Sequence, residues 1–369
     1  MNYESDINNL VNSPNLQERR KFAWLILILP FVMGALRASN ERFSLFNALD
    51  VDRLLNQIGL GDSFLNLFLG TIAIKFLLIL FPMIGIIFLE LSNPKSISNG
   101  LFTNTSFGRI KRSKGFRFAD VWYFFFNLLI GQFPLIGTLL TFGLANIYSP
   151  IGSWFHSLYE SIVPLPSSEI IGSVIFIVAI LLADMVKYFN HRIAHEIGFI
   201  WDFHEFHHSA TEMTILNKDR NIFLQDIFTT PFTLPISILS GLLLNEYVSQ
   251  SFAIPFYIYS FYLALDFFGA LVGHSSLKVV YPKPLSYIFM SPSLHWLHHS
   301  INPAHYNCNY GMNFAFWDRL FGSYLDETNI KDIMGFGVKG TQYNKKHPLY
   351  AFSILPVVKF MKRIQTVFV

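Results

Sequence analysis

Long apolar runs alternate with short polar segments along this chain. Six runs are candidates to cross a bilayer, at roughly 22–37, 64–91, 121–146, 168–189, 227–246 and 251–273. A spanning helix needs about 20 mostly apolar residues. The first run is short, which suits a tilted or interfacial placement. Lys75 interrupts the second and has to snorkel, face another helix or meet water. The segment before the first run is polar and lacks the apolar stretch of a signal peptide, so that run is expected to stay as an anchor. The pattern predicts an all-α fold, a polytopic transmembrane helical bundle.

The cations set the direction of the crossings. Lys95, Arg109, Lys111, Arg112, Lys114 and Arg117 crowd the loop before the third run, and no Lys or Arg occurs from Phe118 to Met185. Lys187, Arg192, Lys218 and Arg220 follow, then none from Asn221 to Leu277, and Lys278 begins another basic stretch. Two hairpins that cross and return are expected, with their basic ends in the cytoplasm.

Composition agrees with a membrane protein and narrows the function classes. Of the 369 residues 52% are apolar and only 14% charged, against about 25% charged in a soluble domain. The net charge of +3 gives no case for nucleic acid. Cys308 is the only cysteine, so neither an internal disulfide nor a thiolate cluster is possible.

Nine of the twelve histidines fall in spaced clusters: His191 and His195, then His204, His207 and His208, then His274, then His295, His298 and His299. Each i, i+3 and i, i+4 pair shares a helix face if the segment is helical. The predicted topology brings all of them to the cytoplasmic face, as a histidine-rich cap. Nine imidazoles exceed what one zinc uses, about four ligands, and therefore suggest two metals. Imidazole suits iron, zinc and copper alike. Iron is preferred, because a site without thiolate is not closed as a structural zinc knot and leaves positions open for dioxygen. Zinc could replace iron during purification. Asp184 lies seven residues before His191 and Asp266 eight before His274, so each shares a helical face with that histidine and is a candidate to orient it through its distal N–H.

Two rivals follow from the same residues. His204-Glu205-Phe206-His207-His208 also fits the H-E-x-x-H pattern of an intramembrane zinc protease with Glu205 as base. The second cluster puts Trp296 where that glutamate would stand, and six further histidines would have no task. A metal-binding or metal-transport protein would string polar groups through the bilayer, whereas the runs 121–146 and 227–246 carry no candidate ligand.

At these residues the chain resembles the fatty acid hydroxylase / sterol desaturase superfamily of membrane di-metal oxygenases. The match comprises His191-Arg192-x-x-His195, Trp201-x-x-His204-x-x-His207-His208-Ser209, Gly273-His274-Ser275 and Pro292-x-x-His295-x-x-His298-His299. It closes with Asn309-Tyr310-Gly311 and Trp317-Asp318-Arg319-Leu320-Phe321-Gly322. It covers roughly 168–325. The resemblance implies a helical membrane fold with all nine histidines as ligands to two iron ions, dioxygen as co-substrate, and hydroxylation or desaturation of a fatty acyl, sterol or related lipid. It also implies a separate electron donor, a b-type cytochrome or a ferredoxin-like protein, since no such domain is visible in the chain. Glu205 is a candidate proton shuttle, and His305 is not expected to be a ligand. The organisation expected is 1–120 for membrane anchors and a basic loop, 121–325 for the hydroxylase-like domain, and 326–369 for a polar loop and an amphipathic tail.

Overall fold

A computed structural model describes residues 80, 83–91, 105–113, 118–130, 169–222, 224–248 and 253–368. The run 22–37, most of 64–91 and the second half of 121–146 lie outside them. Among the described residues there are helices and turns but no strand; only two isolated bridges, Phe289 with Phe314 and Ser300 with Phe336, are extended pairs.

Among the described residues the helices that matter for the site are α1 (Ala119–Ile130), α2 (Glu169–Glu196), α3 (Gly198–His208), α4 (Leu224–Val248), α5 (Ala253–His274), α6 (Pro292–His298), α7 (Phe316–Leu320) and α8 (Leu355–Phe368). Among the described residues one helix, Ile170–Glu196, is long and apolar enough to cross a membrane. Its two halves differ. Ile170, Ile171, Val174, Ile177 and Val178 form an exposed apolar stripe, while Phe176, Ala179 and Ile180 are buried on the other side. The second half carries Asp184, Lys187, Asn190, His191, Arg192 and His195, and packs under the loops that follow.

α4 lies along α2, and α5 packs on both α2 and α6. The α2–α4 contact includes a hydrogen bond from Thr233 Oγ1 to Asn190 Oδ1 of 2.8 Å. A single residue, Ile197, separates α2 from α3, so the chain turns at once and lays α3 back beside the end of α2. Ser291 caps α6 by accepting from the Leu294 N–H at 3.2 Å, and Pro292 occupies the first turn, where a missing N–H costs nothing.

Buried charges tie the connections down. Arg220 donates to Asp120 at 2.5 Å and to Ser209 Oγ at 2.7 Å, with its guanidinium over the Tyr123 ring. Both members of the pair are about 1% exposed, so each neutralises a charge that would otherwise be costly to bury. Glu90 receives four hydrogen bonds, from the backbone and hydroxyl of Ser106 and of Ser276.

The C-terminal stretch packs onto the site helices. Ile330, Ile333 and Phe336 close over Trp296 of α6. One face of α8 packs on α3, with Phe360 against Phe203, Arg363 in a bidentate pair with Asp202 at 2.6 and 2.9 Å, and Lys359 paired to Glu205.

Candidate metal centre

The nine histidines converge as two groups. His191, His195, His204, His208 and His298 form one; His207, His274, His295 and His299 form the other. Within each group the ligand nitrogens all lie within 4.8 Å of one another. The groups touch: the His208 and His299 rings stack with centroids 4.3 Å apart.

The division follows from helical geometry. At about 100° per residue, positions i and i+4 point nearly the same way while i+3 points to their other side. So His204 and His208 of α3 enter the first group, and His207 crosses to the second. In the second motif His295 and His299 enter the second group, and His298 crosses to the first. Each His-x-x-His-His motif thus supplies both groups.

Outer hydrogen bonds fix the rings. Nδ1 of His191 donates to the Tyr310 carbonyl at 2.8 Å, that of His274 to the Ala270 carbonyl at 2.7 Å, and that of His298 to the Cys308 carbonyl at 2.8 Å. His204 Nδ1 donates to Gln225 Oε1 at 2.8 Å. With the proton held on Nδ1, Nε2 presents a lone pair. These Nε2 atoms face their neighbours: His204 to His208 at 3.1 Å, His274 to His207 at 3.2 Å and to His295 at 3.0 Å, and His299 to His295 at 3.0 Å. The buried Nε2 atoms of His195 and His298 have no partner. Converging lone pairs and orphaned nitrogens fit cations, one per group.

Burial keeps these imidazoles neutral, the state that binds metal. It lowers His204 to about 3, with the nearby His191 adding to the effect. It pushes His207, His208, His295, His298 and His299 well below their ordinary value, with mutual repulsion among the rings next in size.

The two carboxylates expected to orient histidines do not touch them. Asp184 accepts from Trp317 Nε1 at 3.0 Å and Asn313 Nδ2 at 2.8 Å, and Asp266 pairs with Lys187 at 2.6 Å and Asn313 at 2.9 Å. Seven or eight residues share a helical face but stand about 10–12 Å apart along the axis, beyond contact. Glu205 also lies outside both groups: one residue on from His204, it turns about 100° away and pairs with Lys359. That geometry fits neither a proton shuttle at the histidines nor the base of an H-E-x-x-H protease. His305 bonds Ser300 Oγ at 2.9 Å, outside both groups.

Other residues do the orienting. Asp318 accepts the backbone N–H of Tyr310 at 2.7 Å and of Gly311 at 2.9 Å, and so holds the carbonyl that receives His191. Burial pushes the Asp318 carboxyl up to about 6. Gly311 is required there, because a Cβ would collide with the Phe314 carbonyl and the Asp318 carboxylate. Asn309, at φ 53°, accepts from Leu325 N at 2.9 Å and donates to the Leu294 carbonyl of α6. The Asn-Tyr-Gly and Trp-Asp motifs signalled Asn309, Tyr310, Gly311 and Asp318. Nothing in the sequence pattern signalled Gln225.

Residues 176–323 match the family model for fatty acid hydroxylase. The chain carries a domain of the fatty acid hydroxylase family. The matched segment contains all nine histidines, Gln225 and Asp318. The chain is 28% identical to the ornithine lipid hydroxylase OlsE of Rhizobium tropici over 190 residues, 51% of each protein. It is 28% identical to the alkylglycerol monooxygenase of Xenopus tropicalis over 39% of this chain and 29% of the relative, and 30% identical to that of Caenorhabditis elegans over 41% and 27%. It thus spans about half the length of the first relative and under a third of the other two. No solved structure matches the chain.

Proposed function

We propose that the chain is an integral membrane lipid hydroxylase with two iron ions held by the nine histidines at the cytoplasmic face. The observation that carries this reading is the convergence of the nine into two groups of closely spaced nitrogens, joined by no thiolate and no carboxylate among the described residues. Iron in such a setting supplies activation of dioxygen and cleavage of an unactivated C–H bond. The balance is one C–H bond, one O2, two electrons and two protons in, and one alcohol and one water out. The electrons require a separate donor protein.

The chain's own groups have three tasks in this scheme. The Nδ1–H bonds of His191, His204, His274 and His298 keep the Nε2 atoms of those four rings aimed inward and free of a proton. Burial of the rings excludes bulk water. The exposed stripe of α2 seats the domain in lipid, and the runs 22–37, 64–91, 121–146, 227–246 and 251–273 complete the polytopic bundle. The relatives' names, hydroxylase and monooxygenase, favour oxygen insertion over desaturation, and ornithine lipid and alkylglycerol favour a lipid substrate.

The test is metal analysis of the purified protein together with lipidomics of an expressing host. Iron near two per chain and a new hydroxylated lipid are expected, and His208→Ala and His299→Ala, one from each group, should abolish the product while the protein still inserts. Full product from both variants rejects the site.

A further inference from the structure

One patch of touching rings holds three buried polar atoms without a partner: Nε2 of His195, Nε2 of His298 and the hydroxyl of Tyr310. The His195 and His298 rings lie 4.6 Å apart, and the Tyr310 ring lies 5.2 Å from the first and 6.0 Å from the second, centroid to centroid. Tyr310 also meets His191, at 5.9 Å. All three histidines belong to the five-histidine group. A cation in that group satisfies the two nitrogens. It leaves the phenol unanswered, because a phenol is protonated at neutral pH and has a proton to donate.

Tyr310 is not placed to seek an acceptor elsewhere. Its backbone N–H is tied to Asp318 at 2.7 Å, its carbonyl accepts from His191 at 2.8 Å, and Tyr188 packs edge-on against its ring at 6.1 Å. Tyr188 supplies the contrast. It is as fully buried as Tyr310 and belongs to the same apolar cluster. Its hydroxyl nonetheless bonds Ser323 Oγ at 2.8 Å and accepts from Arg192 Nη1 at 3.2 Å. A buried donor left unpaired is costly, so the unpaired one of the two asks for an acceptor from outside the chain.

We infer that the Tyr310 hydroxyl donates a hydrogen bond to a small acceptor bound in the five-histidine group. Five nitrogens leave an octahedral cation open to a further ligand. The inference rests on the metal centre of the reading above, on which the acceptor is dioxygen. A fixed donor at a buried site steadies negative charge where it develops and needs no reorganisation.

Azide is the probe, a small anion that enters open metal positions and accepts hydrogen bonds. The full chain is loaded with cobalt in detergent, and its ligand-field spectrum is titrated with azide. Tyr310→Phe deletes one oxygen and keeps the ring, and should bind azide about 10- to 100-fold more weakly than the wild type. His298→Ala should lose the azide response, and His295→Ala should keep it. Melting of the metal-free protein gives a second readout of different sign. Tyr310→Phe removes an unpaired polar atom and should melt no lower than the wild type. Tyr188→Phe breaks existing hydrogen bonds and should melt about 2–4 °C lower, with azide affinity kept.

No azide response from the wild type, or unchanged affinity in Tyr310→Phe, overturns the inference. A lower melting point of Tyr310→Phe overturns it too, since the hydroxyl would then have a partner within the fold. Cobalt lost from that variant makes the phenol a ligand instead of a donor, and an azide response lost in His295→Ala puts the acceptor in the other group; each has the same consequence. A wild type that takes up no cobalt rejects the metal centre and the inference together. A wild type that shows the expected azide behaviour, yet makes no oxygenated lipid when loaded with iron and given O2 and a reductant, rejects the hydroxylase reading alone.

Discussion

The two histidine groups are built from the same motif yet sit in different surroundings. The five-histidine group reaches toward the surface: His195 is half-buried, and the half-buried Trp201 ring lies 5.1 Å from His195, 5.5 Å from His208 and 6.0 Å from His204. The four-histidine group is buried throughout. The difference comes from what each motif packs against. α3 lies at the end of α2 beneath α8, whereas α6 lies against α5. A repeated ligand spacing therefore fixes how rings point but not what a metal there would meet.

The largest effects should come from breaking the crossover. His298 belongs by sequence to the second motif but by position to the first group. His298→Ala is expected to deplete the metal held with His191 and His204, while His295→Ala depletes the metal held with His207 and His274. Each should halve the metal bound, read by elemental analysis and by the ligand-field spectrum of cobalt-substituted protein. Identical spectra for the two variants would break the division into groups.

A smaller, one-sided effect is expected from the supports. Gln225→Ala removes the partner of His204 Nδ1 and should weaken the five-histidine site by about 10- to 100-fold, with the other site unchanged. Gly273→Ala acts on the opposite group, because its Cβ would meet the His295 ring at 3.2 Å. Metal titrations of the two variants measure both effects.

The smallest expected effect is on pH dependence. His204 is held near 3 in the fold against 6.5 in the unfolded chain. The unfolded state then binds more protons, so stability of the metal-free protein falls as pH drops below 6.5 toward 3. Glu327, beside the four-histidine group through Ser291, acts the other way. Burial raises it from 4.5 to about 7, so its contribution is full below 4.5 and lost as pH rises through 7. Melting of the metal-free protein at pH 5, 6 and 8 should show the acid loss, and Glu327→Gln should flatten only the upper part of the profile.

The sequence by itself determined the helical class, the three apolar runs at 168–189, 227–246 and 251–273 that the long helices contain or closely overlap, and the nine histidines, because apolar runs and i, i+3, i+4 spacings are local properties that need no partner. It also marked Asn309, Tyr310, Gly311 and Asp318 as motif residues without telling what they hold. Only the tertiary structure decided how the nine divide, since His207 and His298 change groups by helix rotation against a facing helix. It alone turned Glu205 toward Lys359, gave Asp184 to Trp317 and Asn313, and brought Gln225 to His204 across 21 residues. A shared helical face says that two side chains point the same way. Contact also needs the axial distance to close, and that distance is set by how separate helices pack.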